Sequence, residues 1–421
     1  MPRSSRRLAS SPQSAAAFAA LTAGDADAPA LFAAAIAADP SDPNLVLGEA
    51  EALLAFTDRD PTERLRRLLD SNPGWADGHR LLASLRWELG DRDHYTDGLT
   101  RAIAADPGNA DLWNTYLHVL AGAEDYAGAA AAARRASELF GEPVLALIEA
   151  NNLGMVGDDS AVEALLAEVP PGAERDAVEV RHRIRLAQWD RALGIVDRMV
   201  ASPDADLAAW ALAEVVWRKI GDARSAWLAS DERMIARIDL GYSTQALDRL
   251  AAKLVSLHKQ QRPPIGQSVR GGTQTRGRLL DRRDPELRQL RAALQDAVTR
   301  YRKGLPAADP SHPLLKHRDR FLKVDGGWSV RLTDAGFHVP HLHPAGVLSS
   351  AFHVRVPPLD AAAKEGWLEL GRPPADLRMD LDSLAALEPQ AGTLILFPSF
   401  LYHGTRPFPG GERLTVAFDV T

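Results

Sequence analysis

The chain has 421 residues, enough for two or three domains of ~150 residues each, and its 49 Lys and Arg against 56 Asp and Glu give a net charge of −7. This mild acidity argues against binding to nucleic acid or to an anionic membrane, because both require a basic face. The chain has no cysteine, which excludes disulfides and thiolate chemistry and leaves metal binding to histidines and carboxylates. A reducing, cytoplasmic setting fits a chain without cysteine, so we expect a cytoplasmic protein. The sequence contains no run of ~18 apolar residues, so we expect no membrane-spanning helix.

The N-terminal half is predicted to be helical. After a segment, residues 1–14, that we expect to be flexible, residues 15–240 are rich in Ala, Leu, Arg and Glu. Prolines recur in this region at Pro40, Pro73 and Pro107, with spacings of 33 and 34 residues. Each proline ends one helical run and begins the next, where its missing N–H is harmless.

The unit after the third proline carries a characteristic set of residues. Trp113 lies near its start, and Asp125-Tyr126 marks the turn between two helices. Small residues, Ala129 and Ala136, stand where the helices cross. This helix–turn–helix period resembles the tetratricopeptide repeat (TPR), and it implies five or six degenerate repeats stacked into a solenoid. Such a solenoid is either a scaffold or dimerisation surface, or a groove that binds a peptide.

The composition changes after residue 240. We assign residues 241–325, with predicted helices at Gln245–Lys259 and Pro285–Arg302 and a polar loop at Gln267–Thr275, to the C-terminal domain as its lead-in. Residues 326–421 are predicted to form the core of that domain, because short apolar runs between Gly and Pro turns are typical of a sandwich or barrel. The predicted strands are Trp328–Leu332, Val347–Val356, Gly366–Leu370, Thr393–Phe397 and Leu414–Val420.

Histidine is concentrated in the C-terminal part: four of the 12 histidines lie within the 16 positions 338–353. His341 and His343 alternate, so on a strand both imidazoles point to the same face and can meet one ion. His403 follows 60 positions after His343, at the end of an apolar run. Imidazoles on two distant strands suggest an open metal site of the kind that iron(II) oxygenases use.

An arginine and a threonine, Arg413 and Thr415, share one face of the last strand. An arginine is suited to a dicarboxylate because its guanidinium binds one carboxylate through two parallel hydrogen bonds. The residues therefore suggest a carboxylate-binding pocket beside the metal site.

Residues 245–421 resemble the 2-oxoglutarate/iron(II)-dependent oxygenases, in particular a bacterial and phage group of them. The segments that carry the resemblance are Gly336–Pro344, Leu348–Val354, Phe397–His403 and Glu412–Thr415. The resemblance implies a double-stranded β-helix, or jelly roll, with flanking helices, so that the whole chain is an α + β multidomain protein. It also implies Fe(II) as the cofactor, 2-oxoglutarate as the cosubstrate together with O2, and the hydroxylation of an unactivated C–H bond.

The resemblance also implies roles for single residues. His341 and His403 match iron ligands, and Arg413 with Thr415 matches the pair that binds the far carboxylate of 2-oxoglutarate. His343 stands where the family has Asp or Glu, which leaves three alternatives: a three-His site, a two-His site completed by water, or no functional metal. Further candidates for the cosubstrate pocket are His353, Ser349 and Trp328, and candidates for substrate contact are Arg270 and Gln274, for which a purely structural turn is the alternative.

Two other functions are compatible with the sequence. One is a three-His, cupin-like dioxygenase that does not use 2-oxoglutarate, against which Arg413-x-Thr415 argues. The other is a non-enzymatic TPR interaction protein with a degenerate barrel. The union of repeats with an oxygenase suggests, by analogy of fold alone, a polypeptide substrate such as a prolyl, aspartyl or asparaginyl side chain.

Overall fold

A computed structural model of the chain describes residues 11–343 and 346–421. In these residues a helical solenoid is followed by two antiparallel sheets with flanking helices, which confirms the predicted α + β fold class. The helices are α1 (Pro12–Ala23), α2 (Ala28–Ala38), α3 (Pro43–Phe56), α4 (Glu63–Ser71), α5 (Ala76–Glu88), α6 (Asp97–Ala105), α7 (Ala110–Gly122), α8 (Tyr126–Phe140), α9 (Pro143–Val156), α10 (Asp159–Glu168), α11 (Ala173–Arg185), α12 (Trp189–Ala201), α13 (Leu207–Ile220), α14 (Arg224–Ala229), α15 (Thr244–Ser256) and α16 (Pro285–Gly304). The strands are β1 (Ala236–Asp239), β2 (Val269–Gln274), β3 (Val324–His338), β4 (Leu348–Arg355), β5 (Leu368–Leu370), β6 (Ala385–Leu387), β7 (Thr393–Pro398), β8 (His403–Thr405) and β9 (Glu412–Val420).

The solenoid consists of helices α1–α14, which form seven consecutive pairs where five or six repeats were expected. The excess arises because the pairs between residues 142 and 203 carry no clear sequence period. Helix α1 begins at Pro12, inside the segment predicted to be flexible, and the rest of that prediction, residues 1–10, lies outside the described residues. The division of the chain at residues 14, 240 and 325 stays a prediction.

Local chemistry explains the repeat signature. The Asp125 carboxylate caps α8 by accepting a hydrogen bond of 2.9 Å from the backbone N–H of Gly128. Ala129 and Ala136 are fully buried, as expected for small residues where two helices cross. The indole of Trp113 is also buried and donates a hydrogen bond of 3.0 Å to the carbonyl oxygen of Pro107, which joins one repeat to the proline that precedes it.

The C-terminal strands form two sheets. The larger has the order β1-β7-β4-β9-β3-β2 and the smaller β6-β5-β8, and the recorded strand pairs are antiparallel. The five strands predicted from sequence correspond to β3, β4, β5, β7 and β9. Strands β1, β6 and β8 were missed because each has only three or four residues. Strand β1 lies before residue 240 and yet pairs with β7, so the larger sheet begins inside the region assigned to repeats.

The predicted loop at Gln267–Thr275 was wrong, because most of it is strand β2, paired with β3. The two glycines permit this pairing instead of preventing it. Gly271 has φ +66° at a β-bulge, and a Cβ on Gly272 would lie 2.2 Å from the carbonyl oxygen of Arg331. Glycine in this strand therefore marks a bulge and a close backbone approach.

The last helices of the solenoid and the larger sheet share one hydrophobic core. One face of β9 contributes four buried residues to it, Leu414, Val416, Phe418 and Val420. The same cluster contains residues of α11–α13, α15 and α16. Packing is therefore continuous across residue 240, where the sequence suggested a boundary.

The first helix of every pair in the solenoid contacts the C-terminal domain, and we call this surface the inner face. Its contacting residues are Ala23, Glu51, Glu88, Gly122, Gly154, Arg185 and Arg218. Their partners lie in two segments, residues 266–283 and 371–382. The chain covers this face itself, which favours the scaffold over the peptide-binding groove.

Among the helices described, none combines the length and the hydropathy that spanning a bilayer requires. The cytoplasmic location stays a prediction.

A buried ion pair between the solenoid and the C-terminal domain joins Glu88 to Arg276. Arg276 Nε donates to Glu88 Oε2 at 2.7 Å, and the Glu88 side chain is 0% exposed. Removing one partner of such a pair leaves a buried charge and costs about 3–5 kcal/mol. We expect Arg276→Ala to lower the free energy of urea unfolding by about that amount. Arg67→Ala, which breaks the exposed pair with Glu63, should change it by less than about 0.5 kcal/mol. Equal effects of the two substitutions would contradict this account.

A second test concerns His258, which links α15 to the larger sheet. Its Nδ1 and Nε2 hydrogen-bond to the hydroxyls of Thr273 and Ser329 at 2.7 and 3.1 Å. Burial, helped by the positive charge of Arg331 and opposed by Glu412, lowers the pKa of His258 to about 4. Between about pH 6.5 and 4 the unfolded chain binds a proton at this histidine that the folded chain does not, so stability falls as the pH falls.

For His258→Gln we therefore expect the loss of unfolding free energy between pH 7 and pH 5 to shrink by about 2 kcal/mol, measured by urea unfolding. The control is His118→Gln, at an exposed position on α7, which should leave the pH dependence unchanged. A wild-type slope in His258→Gln would show that this histidine is not buried in its neutral form.

Candidate metal centre

Two distant segments of the chain bring His341 and His403 together. Their backbones form an isolated antiparallel bridge, in which each N–H donates to the other's carbonyl oxygen at 3.0 Å. The pairing needs a glycine after His403, because a Cβ on Gly404 would lie 2.8 Å from the carbonyl oxygen of His338. The backbone thus determines the approach of the two imidazoles.

Three imidazoles converge at this bridge. His341, His343 and His403 each offer one nitrogen, and these atoms lie within 4.8 Å of one another. The Nε2 atoms of His341 and His343 are 3.1 Å apart, and the ring centroids of His341 and His403 are 4.2 Å apart. The structure therefore brings together all three residues that the sequence suggested as ligands.

The Nδ1 atoms of two of these histidines hydrogen-bond to backbone carbonyls. His341 Nδ1 donates to Val339 O at 2.9 Å, and His403 Nδ1 donates to Leu401 O at 3.1 Å. A carbonyl oxygen can only accept, so the proton is on Nδ1 and the lone pair on Nε2. In both residues the free lone pair belongs to the nitrogen available to a metal.

The third histidine is held by a carboxylate. His343 Nδ1 donates to Asp419 Oδ1 at 2.9 Å, which again leaves the lone pair on Nε2. The ring of Trp328 packs beside the imidazole of His343, with centroids 5.2 Å apart. An anchored second nitrogen is the usual arrangement of a metal-binding histidine.

Burial keeps the imidazoles of His341 and His403 neutral. It lowers the pKa of His341 and of His403 well below the ordinary value, and repulsion from the neighbouring imidazoles lowers both further. Neutral lone pairs at these distances repel one another, and a divalent cation between them removes the repulsion. Imidazole nitrogen is a suitable ligand for iron, so the residues present fit Fe(II).

The face of β9 that turns away from the core carries Arg413, Thr415 and Asp419 in i, i+2 alternation. In the sheet, Thr415 lies between Val330 of β3 and His353 of β4. The face therefore runs from the histidine cluster, at Asp419, to the predicted carboxylate-binding pair.

Arg413 is a buried cation without an anionic partner among the side chains that the structure describes. It is 2% exposed, and burial lowers its pKa to about 10. Its guanidinium donates to the Gly366 carbonyl oxygen and, at 3.5 Å, to His353 Nδ1. Among the side chains that the structure describes, no carboxylate lies within 4.0 Å of it. Such a charge requires a partner, and a carboxylate ligand is the natural one.

Two buried hydrogen-bond donors at Arg413 and His353 also lack an acceptor among the described residues. Because Arg413 donates to His353 Nδ1, the proton of that imidazole is on Nε2, and neither His353 Nε2 nor Arg413 Nε has a partner in the described structure. Burial and the charge of Arg413 lower the pKa of His353 well below its ordinary value. The neutral imidazole can thus donate one hydrogen bond to an acceptor that the chain does not supply.

Three other candidates have partners within the chain. Ser349 Oγ is fully buried and hydrogen-bonds to Ser399 Oγ at 3.0 Å. Arg270 forms an ion pair with Glu124 of the solenoid. Gln274 Nε2 donates to the side-chain oxygen of Gln267 at 3.2 Å. The contacts of these three residues are structural, whereas Trp328 does lie beside the histidine cluster.

Two residues of the site, Asp419 and Ser268, were not predicted from the sequence. Asp419 shares a strand face with Arg413, so the i, i+2 pattern could have identified it. Ser268 could not be found this way, because only the pairing of β2 brings its hydroxyl to 3.3 Å from His341 Nε2 and 3.0 Å from His338 Nδ1. The ring of His338 stacks on that of His341, which places it beside the site and not at a free strand edge.

The C-terminal part of the chain matches a known protein family. Residues 326–419 match the family described as "Putative 2OG-Fe(II) oxygenase". No protein of curated function matches significantly. Similar solved structures include the viral collagen prolyl hydroxylase of Paramecium bursaria Chlorella virus-1 in complex with 2OG (14% identity, 44% of this chain and 95% of that one, TM-score 0.31), a Pseudomonas putida prolyl-4-hydroxylase (18%, 46% and 97%, 0.30) and Pseudomonas aeruginosa pilF (15%, 44% and 87%, 0.30).

The close approach at Gly404 can be tested. We expect Gly404→Ala to push His403 away from His341, to weaken Mn(II) binding at least about tenfold and to destabilise the fold by about 1–3 kcal/mol. The control is Gly410→Ala, since a Cβ there meets nothing within 4 Å. Titration calorimetry and thermal unfolding measure the two quantities. Equal Mn(II) affinity in both variants would show that this contact does not position His403.

Proposed function

We propose that residues 326–419, which match the family described as "Putative 2OG-Fe(II) oxygenase", form an oxygenase domain in which His341, His343 and His403 hold the Fe(II) and Arg413 binds 2-oxoglutarate. The reaction that we propose is hydroxylation of a C–H bond. The observation that carries the proposal is the combination of three convergent imidazoles with a buried guanidinium that lacks a carboxylate.

Fe(II) and 2-oxoglutarate, when bound, supply the oxidising chemistry with O2, and the protein supplies binding, orientation and a dry site. The carbonyl oxygens of Val339 and Leu401 hold two imidazoles in orientation. Phe397 packs edge-on against His403, with ring centroids 4.8 Å apart, and keeps water from that side of the centre. The site is thus preorganised for a divalent ion, which avoids the cost of ordering its ligands on binding.

The cosubstrate pocket that we propose lies along β9. Arg413 binds the far carboxylate, the hydroxyl of Thr415 assists it, and His353 Nε2 donates a further hydrogen bond. Thr415 and Ala417 are the residues of this face between Arg413 and Asp419. Their small side chains leave room for an extended dicarboxylate between the guanidinium and the metal.

The same observations bear on the two alternatives. A cupin-like dioxygenase without 2-oxoglutarate gives no reason for the unpaired guanidinium of Arg413. A degenerate barrel gives no reason for three histidines with anchored Nδ1 atoms whose rings converge on one another. Both features favour the 2-oxoglutarate-dependent oxygenase and, among the three metal-site alternatives, the three-His site.

For the substrate we propose a polypeptide side chain that enters at the junction of solenoid and barrel. The inner face is already covered, so a peptide cannot lie along it as in an open groove. At this junction helix α11 reaches Tyr402, which precedes His403 in the chain: Arg181 Nη1 lies 3.5 Å from the Tyr402 hydroxyl. Arg181 is held there by an ion pair of 2.6 Å with Asp376.

The proposal is tested by anaerobic addition of Fe(II) and 2-oxoglutarate to the full chain. We expect the weak visible charge-transfer band of the Fe(II)–2-oxoglutarate chelate in the wild type, and its loss in His341→Ala and in Arg413→Ala. The first variant lacks a ligand, and the second lacks the partner of the far carboxylate. Under air, the wild type should form succinate and both variants should lose at least about 100-fold in rate, of the order expected when one strong charge-assisted contact is removed.

Arg331→Ala is the matched control, because Arg331 lies on the opposite face of the same sheet and pairs with Glu412. It should keep both the band and the turnover. Iron binding without the band in the wild type would support the cupin-like alternative. Absence of iron binding would mean that the barrel is a scaffold.

A further inference from the structure

The candidate metal centre lacks a carboxylate ligand but has a carboxylate one hydrogen bond away. Asp419 Oδ1 accepts from His343 Nδ1 at 2.9 Å, and the side chains of His343 and Asp419 are 12% and 20% exposed. Within the described residues, Asp419 has no Lys or Arg partner within 4.0 Å. Its negative charge is therefore directed at His343 alone.

The contact between Asp419 and His343 affects the net charge of the metal site. Two imidazoles and one carboxylate leave a divalent ion with a net charge of about +1, whereas three neutral imidazoles leave about +2. A carboxylate that accepts the Nδ1 proton of a ligating imidazole raises the basicity of that imidazole and shares its negative charge with the site. We propose that Asp419 is a positioning residue that makes His343 equivalent to the missing carboxylate ligand. This inference rests on the metal-binding role proposed for the three histidines.

The fold holds both partners of this contact in place. Asp419 pairs across the sheet with Asp325 of β3, and Val420 accepts a backbone hydrogen bond of 2.7 Å from Val347. On the other side, the indole of Trp328 packs against the imidazole of His343. The carboxylate and the imidazole thus meet in one orientation, and Nε2 of His343 points to the other two histidines.

A merely structural hydrogen bond is the competing explanation, and Asp419→Asn separates the two. The asparagine keeps an oxygen that can accept the His343 proton but removes the negative charge. We expect Asp419→Asn to weaken binding of Co(II) to the full chain about 10–100-fold, measured by titration calorimetry. In the anaerobic Fe(II)–2-oxoglutarate complex the charge-transfer band should move to shorter wavelength, because iron with less electron density gives up an electron less readily.

Two further substitutions sharpen the test. Asp325→Asn removes a carboxylate from the paired position on β3, where it binds Arg278, and should leave Co(II) affinity unchanged. In the double variant His343→Asp/Asp419→Asn the charge moves to the ligand itself, so we expect the affinity to return to within about tenfold of the wild type. If Asp419→Asn does not fold, the pair Asp419→Glu and Asp419→Gln repeats the comparison of a charged with a neutral side chain.

The outcomes separate the two proposals. Co(II) affinity and band position unchanged in Asp419→Asn, with binding in the wild type, would overturn the role of Asp419 and leave the metal site intact. No Co(II) binding by the wild type would overturn both. A weakened Asp419→Asn together with recovery in the double variant would establish the charge as the property that matters.

Discussion

The alternation of side chains along β9 is the constraint on which the C-terminal domain depends. Strand β9 pairs with both β3 and β4, so it lies inside the larger sheet. Its even-numbered residues from Leu414 to Val420 fill the core that the sheet shares with the helices, and its odd-numbered residues from Arg413 to Asp419 form the wall of the candidate site. A shift of register by one residue would exchange the two sets and lose core and site together.

The wall formed by β9 has histidines near one end and the charged guanidinium of Arg413 at the other. At one end, burial keeps His341 and His403 neutral, so their lone pairs are available at pH 7. At the other end, the buried guanidinium of Arg413 has no counter-ion among the described side chains. A protein that bound no ligand would gain stability by replacing either end with apolar residues. Both ends are understood most simply as half of an interaction that a metal ion and a dicarboxylate complete.

The solenoid is joined to the C-terminal domain along its length. A TPR-like domain on a flexible linker would keep its binding surface free, but here the first helix of every pair contacts the segments 266–283 and 371–382. Buried ion pairs of this kind are costly to leave half-formed, and they specify one arrangement of the two parts. The repeats therefore support the site, and they bring α11 to Tyr402, next to a proposed metal ligand.

Much of this molecule follows from sequence alone, because the decisive signals are local. The period of 33 and 34 residues, the Asp125 cap and the buried alanines predict stacked helix pairs, and the alternation of His341 with His343 and of Arg413 with Thr415 places each pair on one face of a strand. Those signals are contained in short stretches of chain, so local propensities and side-chain periodicity suffice to interpret them.

Other features depend on pairings between residues far apart in the chain, and only the tertiary structure decides them. Strand β1 forms because β7 pairs with it, and the Gly-Gly stretch becomes a strand because β3 pairs with it around a bulge. Arg270 pairs with Glu124, in the distant turn between α7 and α8. The link from His343 to Asp419 spans 76 positions and completes the third imidazole of the site. The free energy of such contacts comes from partners that no local window contains, so the sequence determined which groups carry the chemistry and the fold determined what each of them faces.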